Sequence, residues 1–168
     1  MHDLFGDNKN TGGIYRNSCI ANFITCCSYI KGIRFDGRFL DGMIITCVGS
    51  MKHRKLICLL SKEFMSNIED CMFYTPDMVN GILGYDKSDI GDIEIKNLNN
   101  RHKNLIKISD YVLVIDYSVG ESTHEEYLYA KSLGKCIIKL SEILKYFDHN
   151  KDIIDNVNIY KDLKEELE

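Results

Sequence analysis

The sequence contains no tryptophan and a single proline, Pro76. With one proline in 168 residues there is no Pro-rich linker, and no segment falls into low-complexity repetition. Long hydrophobic runs are missing too. The longest, residues 42–48 and 111–115, fall far short of the roughly 20 residues needed to cross a bilayer, so no membrane partner is expected. The opening residues Met1-His2-Asp3-Leu4-Phe5-Gly6-Asp7 carry no basic stretch followed by an apolar one, and without a visible secretory signal the chain is expected in the cytoplasm. Neither sign of charge predominates: 21 basic residues face 25 acidic ones, a net charge of -4, so nothing drives binding to a polyanion and nucleic acid is not an expected partner. The seven cysteines are odd in number and contain no Cys-x-x-Cys pair. Cys47, Cys58, Cys71 and Cys136 lie in apolar runs, which reads as reduced thiols, and no metal or cofactor motif is present.

What is present is the composition of one globular domain, 45% hydrophobic and 27% charged. From about residue 43 short β-rich runs alternate with stretches of helical period, the pattern of a mostly parallel sheet covered by helices. Residues 43–48 read as a strand buried on both faces and broken by Gly49-Ser50. A helix follows, with Leu56, Ile57, Leu59, Leu60, Phe64 and Met65 on one face. Residues 71–74 read as a second strand, 76–91 as a loop with some helical turn, and 93–108 as a helix carrying Leu98, His102, Leu105 and Ile106 on one side. Residues 111–116 form the clearest strand. A helix over 123–133 should stop at Gly134, and a strand over 135–140 follows. Ser141 is placed to cap a helix running to about Phe147, and 157–167 reads as a charged amphipathic helix. The expected organisation is an N-terminal extension, 1–42, an α/β core, 43–140, and a C-terminal helical segment, 141–168.

In an open parallel sheet the ligand crevice lies beyond the carboxyl ends of the strands, where successive crossovers diverge to opposite faces. Gly49-Ser50 after the first strand and Gly120-Glu121-Ser122-Thr123 after the third would present small residues and free amide groups there, suited to a phosphate or a sugar hydroxyl. Gly49 also has a purely steric explanation in a tight strand-to-helix turn. Glu125 and Glu126 stand close behind Ser122 and Thr123, and both pairs fit the Ser/Thr-x-x-Glu capping box. Alternatively, the positive end of the helix favours an ionised carboxylate, which serves as a nucleophile or stabilises a cation but is poorly suited to deliver a proton. His102 is either a core histidine or a ligand contact, and Asp116 either binds a sugar hydroxyl or caps a loop.

The run from Asp110 to Asp116, followed by Gly120-Glu121-Ser122-Thr123-His124-Glu125-Glu126-Tyr127-Leu128-Tyr129-Ala130 and then Leu133-Gly134-Lys135, resembles the nucleoside 2-deoxyribosyltransferase-like superfamily. Val48-Gly49-Ser50 is similar to that superfamily's Cys-Gly-Ser loop, so the resemblance spans about residues 43–140. It implies a flavodoxin-like three-layer α/β sandwich and cleavage or transfer of the N-glycosidic bond of a nucleoside or nucleotide. By register Glu126 matches the catalytic glutamate, eight residues before Gly134-Lys135, which leaves Glu125 as the capping partner. Asp116 is the second residue assigned to catalysis, while Gly49, Ser50, Gly120, Ser122 and His102 are assigned to substrate binding, with Lys52 or Arg54 adding charge at the rim. The resemblance also implies a homo-oligomer. Two departures stand out: Gly120 replaces an acidic residue six positions before the glutamate, and His102 stands where some members have an acidic residue against the base. They motivate an alternative, a non-catalytic nucleotide-binding module using the same crevice.

Overall fold

The computed structural model describes residues 44–67, 71–76 and 91–168. The expectations for 1–42 and for most of the 76–91 loop therefore fall outside the described residues. Four parallel strands, β1 (Ile44–Val48), β2 (Met72–Tyr74), β3 (Tyr111–Val114) and β4 (Cys136–Lys139), form one sheet in the order β2-β1-β3-β4. β1 pairs with β3 in the register Ile45↔Tyr111 to Val48↔Val114 and with β2 from Ile44↔Met72 to Thr46↔Tyr74. β3 pairs with β4 from Tyr111↔Cys136 to Val114↔Lys139. The two central strands are the ones that read as continuous apolar, β-branched runs: in β3 every residue is buried, and in β1 all but Ile44.

Among the described residues five helices cover the sheet: α1 (Arg54–Asn67), α2 (Asp92–Ile108), α3 (Glu121–Ser132), α4 (Leu140–Ile143) and α5 (Lys151–Asn158). On one face Leu56, Ile57, Leu60 and Phe64 of α1, Ile143 of α4 and Ile153 and Val157 of α5 bury against Ile45, Cys47, Leu113 and Ile138. Phe64 stacks at 5.2 Å from Phe73 and lies 5.9 Å from Phe147. On the other face Ile106 of α2 and Tyr127 and Ala130 of α3 pack on Val48, Val112 and Val114. Each of these aliphatic side chains contributes about 1.5–3 kcal/mol when fully withdrawn from water. The result is the expected α/β fold, helices on both sides of a parallel sheet, consistent with a flavodoxin-like sandwich.

Gly134 ends α3 as expected. It takes the left-handed conformation, φ 64°, while its amide bonds Lys131 O at 3.0 Å and that of Lys135 bonds Ala130 O at 3.1 Å. Three boundaries differ from the sequence reading. α3 begins at Glu121, with Gly120 as the cap residue, so neither Ser122 nor Thr123 starts it. α4 is capped from Lys139, whose amide bonds Glu142 Oε2 at 3.2 Å, and not from Ser141, although a 3₁₀ turn over Leu144–Phe147 carries the helical path to Phe147 as expected. The last regular helix is Lys151–Asn158, capped by the Asn150 side chain, and residues 157–167 do not form one. Instead the chain makes a 3₁₀ turn at Lys161–Leu163 and lies against the end of β3, with Lys164 bridging Tyr117 and the Glu165 amide bonding Asp116 O at 2.9 Å. Leu167 then buries beside Tyr127, its carbonyl accepting from Lys139 Nζ at 2.8 Å. Cys47, Cys58 and Cys71 are free thiols, but Cys136 is disulfide-bonded, which its place in an apolar run did not signal.

Candidate functional site

Because the strand order is β2-β1-β3-β4, the crossovers from β1 and from β3 run outward in opposite directions, and the carboxyl ends of these two neighbours flank the switch point. The two glycine turns meet there. A Cβ on Gly120 would lie 3.8 Å from Ser50 Oγ, so the loop after β1 and the cap of α3 sit side by side. Gly49 has the steric explanation: a Cβ there would stand 3.0 Å from Ile115 Cδ1 and 3.3 Å from Ile115 Cβ. Gly49→Ala is therefore expected to lower stability by about 1–2 kcal/mol through displacement of Ile115, readable as a shift of the urea midpoint at constant slope.

At the start of α3 the first helical bond runs from His124 N to Gly120 O at 3.0 Å, which leaves the amides of Glu121, Ser122 and Thr123 without a helical acceptor. Ser122 is exposed, Ser50 half-buried and Gly49 buried. The two amides before them are already used: Ser118 N bonds Leu163 O at 2.6 Å, and Val119 N bonds Glu165 Oε1 at 2.9 Å. The C-terminal segment thus closes the outer part of this loop, a feature no local motif announces. Lys52 Nζ bonds Ser118 Oγ and ties the two turns together at their rim, and Arg54 is exposed.

Near the turns, His102 of α2 reaches both a strand and the neighbouring helix, α3. Its Nε2 lies 3.1 Å from the carbonyl of Cys47, and its Nδ1 lies 2.6 Å from Glu126 Oε1. His102 is buried and the Glu126 side chain only 12% exposed. Leu98 and Ile106 place the histidine on the inner face of α2, as the spacing predicts, and Thr123, Tyr127 and Ala130 hold the corresponding face of α3 against the core. Among the described residues nothing hydrogen-bonds Glu126 Oε2. The Cys47 thiol beside it is pushed up by burial first and by the charge of Glu126 second, which keeps it protonated and inert.

The earlier start of α3 changes the account of the glutamates. Glu121 is the acidic residue of the first turn, and Glu126 stands in the second, beyond the range over which a helix end favours a carboxylate. Glu126 is neither a cap nor a first-turn group: His102 fixes it instead. Glu125 is exposed, as is His124, whose ring stacks on Tyr127 at 6.4 Å. Asp116 is engaged as a cap. It is 0% exposed, with Oδ1 accepting from the Ser141 amide at 3.0 Å and Oδ2 from the Ser141 hydroxyl. Its carboxylate caps α4 across 25 residues of sequence, with both oxygens engaged by Ser141, which is the capping alternative for this residue.

A second buried histidine braces the crevice. His53, in the turn after β1, donates from Nε2 to Tyr117 O at 2.6 Å and packs edge-on against Tyr160 at 4.5 Å, while its Nδ1 is buried with no hydrogen-bond partner among the described residues. Burial lowers its pKa from the ordinary 6.5, so folding favours the neutral ring. The associated stability is complete above that ordinary value and is lost as the pH falls from it through the lowered value of the folded protein. Urea midpoints measured from pH 7 to 5 should therefore fall, and His53→Gln, which keeps a donor for Tyr117 O but does not titrate, should flatten that decline. Among the described residues no three His, Cys, Asp or Glu side chains come together as a metal site, and no helix is long and apolar enough to cross a membrane. No family model, curated protein or solved structure matches this chain.

Proposed function

We propose that this chain cleaves or transfers the N-glycosidic bond of a nucleoside or nucleotide, with Glu126 attacking the anomeric carbon. The single observation that carries the proposal is the Glu126–His102 pair, set at the β1/β3 switch point near the two abutting glycine turns. Loss of a base from a deoxyribose builds positive charge on the anomeric carbon, and a carboxylate with one oxygen fixed and the other unengaged stabilises or traps that centre. The amides at the start of α3, with Ser50, Ser122 and Gly49, are the groups that would receive the sugar's 5' oxygen or a phosphate on it. The resemblance of residues 110–135 to the nucleoside 2-deoxyribosyltransferase-like superfamily supports the same reading, and with it a homo-oligomeric working form.

The test is a chromatographic screen for free base released from each deoxynucleoside and deoxynucleoside monophosphate, with and without an acceptor base to separate transfer from hydrolysis. Release from at least one compound is the expected result. Failure across the whole panel removes the enzymatic reading. One observation favours the second reading, a nucleotide-binding module without turnover: Asp116, the other carboxylate at the end of β3, is spent on Ser141. Calorimetric binding of a nucleotide that stays intact after long incubation would establish that reading.

A further inference from the structure

The two ring nitrogens of His102 face partners with different capacities. The carbonyl of Cys47, 3.1 Å from Nε2, has no proton to give, so Nε2 carries the hydrogen and donates it. Nδ1 lies 2.6 Å from Glu126 Oε1, too close for the two atoms to face one another without a hydrogen between them. With the Nε2 hydrogen fixed, a neutral ring would turn a bare lone pair on Nδ1 toward a bare carboxylate oxygen. Two lone pairs would then meet where the side chains are only 5% and 12% exposed. Such a contact is attractive only with one proton between Nδ1 and Oε1. Imidazolium with carboxylate, or imidazole with carboxylic acid, satisfies it, and both contain the same number of protons.

We infer that His102 and Glu126 hold a single proton between them and act as one couple, in which His102 is the positioning residue that binds Oε1, turns Oε2 toward the anomeric carbon and yields the shared proton when Glu126 reacts. The proton sharing stands on the geometry alone; its use in the reaction rests on the proposed function. The step balances. Oε2 forms a bond to the anomeric carbon as the carbon–nitrogen bond breaks, and that electron pair leaves on the base nitrogen. Glu126, now an ester, no longer offers a charge to the proton on Nδ1, which passes to the base nitrogen. His102 is left as a neutral imidazole still donating to Cys47. When water or an acceptor base attacks the anomeric carbon, the carbon–Oε2 bond breaks and the attacker's proton restores the couple. Among the described residues no other charged side chain bonds either member of the pair. The Cys47 thiol of β1 stays protonated, Arg101 and Glu125 are exposed, and Lys103 sits 5.8 Å from the centre of the Tyr129 ring.

Nitrogen-15 NMR of the imidazoles of the full chain at pH 7 tests the couple without reference to any substrate. The expected spectrum has a directly bonded hydrogen on Nε2 of His102 and a strongly downfield proton shared at Nδ1, and Glu126→Gln removes that downfield signal. A wild-type spectrum with the hydrogen on Nδ1 and a bare Nε2, or a downfield signal that survives Glu126→Gln, overturns the inference. On a substrate found in the base-release screen, His102→Asn keeps a donor near Oε1 but no transferable proton. It should lower kcat by about 10²-fold with KM changed less than about threefold. Full kcat in His102→Asn overturns the role in the reaction. A confirmed couple with no base released from any compound in the panel would instead count against the proposed function alone.

Discussion

Glu126→Gln is expected to reduce base release by roughly 10³-fold or more, the scale on which removing a nucleophile acts in other enzymes. An amide oxygen is a poor nucleophile and carries no charge to stabilise the developing cation, so both parts of the role are lost together. The substitution is nearly isosteric, and the site tolerates it. The side-chain amide introduced at position 126 would donate to Nδ1 of a neutral His102, whose Nε2 still donates to the Cys47 carbonyl, so no buried polar atom loses its partner. Unfolding in urea should therefore change by about 1 kcal/mol or less. The contrast between a large kinetic loss and an almost unchanged midpoint separates a reacting group from a structural one. If base release persists in Glu126→Gln, Glu126 is not the nucleophile. If the protein fails to fold, the His102 contact is a structural pillar and the kinetic comparison moves to Glu126→Asp, which keeps the charge but withdraws it by one methylene.

Much of this arrangement was legible because it depends on local pattern. β1 and β3 announce themselves as uninterrupted apolar runs because both faces of a central parallel strand are buried, and Leu98, His102 and Ile106 fall on the inner face of α2 by helical spacing alone. Gly134 was readable for the same reason, since a Schellman stop needs a residue that accepts positive φ. The features that escaped are tertiary. Ser122 and Thr123 each satisfy a capping-box pattern, yet α3 starts earlier because Gly120 lies against Ser50 of a loop about 70 positions away in the chain. The alternation of charge over 157–167 fits a helix, but Leu163 O and Glu165 N pair with the backbone of Ser118 and Asp116, and Leu167 O accepts from the side chains of Tyr127 and Lys139, so the segment takes an irregular path instead. Histidine at position 102 was visible as a choice between core residue and ligand contact. What resolves the choice, a carbonyl on one nitrogen and a carboxylate on the other, requires three elements to be brought together.

Asp116→Ala is expected to destabilise the fold by about 3 kcal/mol, the upper range for hydrogen bonds to a charged acceptor. Asp116 stands at a point where the sheet, the C-terminal segment and α4 converge: its side chain receives the amide and hydroxyl of Ser141, and its backbone carbonyl receives the amide of Glu165. Truncation leaves the Ser141 amide and hydroxyl without an acceptor in a place from which Asp116 itself is wholly excluded from water. It also removes the charge that, after burial, helps push the Tyr117 phenol up. Asp116→Asn behaves differently, because its carbonyl still accepts from the Ser141 amide while its NH₂ donates to the Ser141 hydroxyl, so a loss of about 1 kcal/mol is expected. The pair of variants decides between two roles for this carboxylate. A cap predicts that Asp116→Asn keeps base release within a few-fold of wild type, whereas a catalytic Asp116 predicts a loss of activity at almost unchanged stability. The geometry favours the cap, since both oxygens are engaged by one serine and the residue is wholly withdrawn from the solvent through which a sugar would arrive.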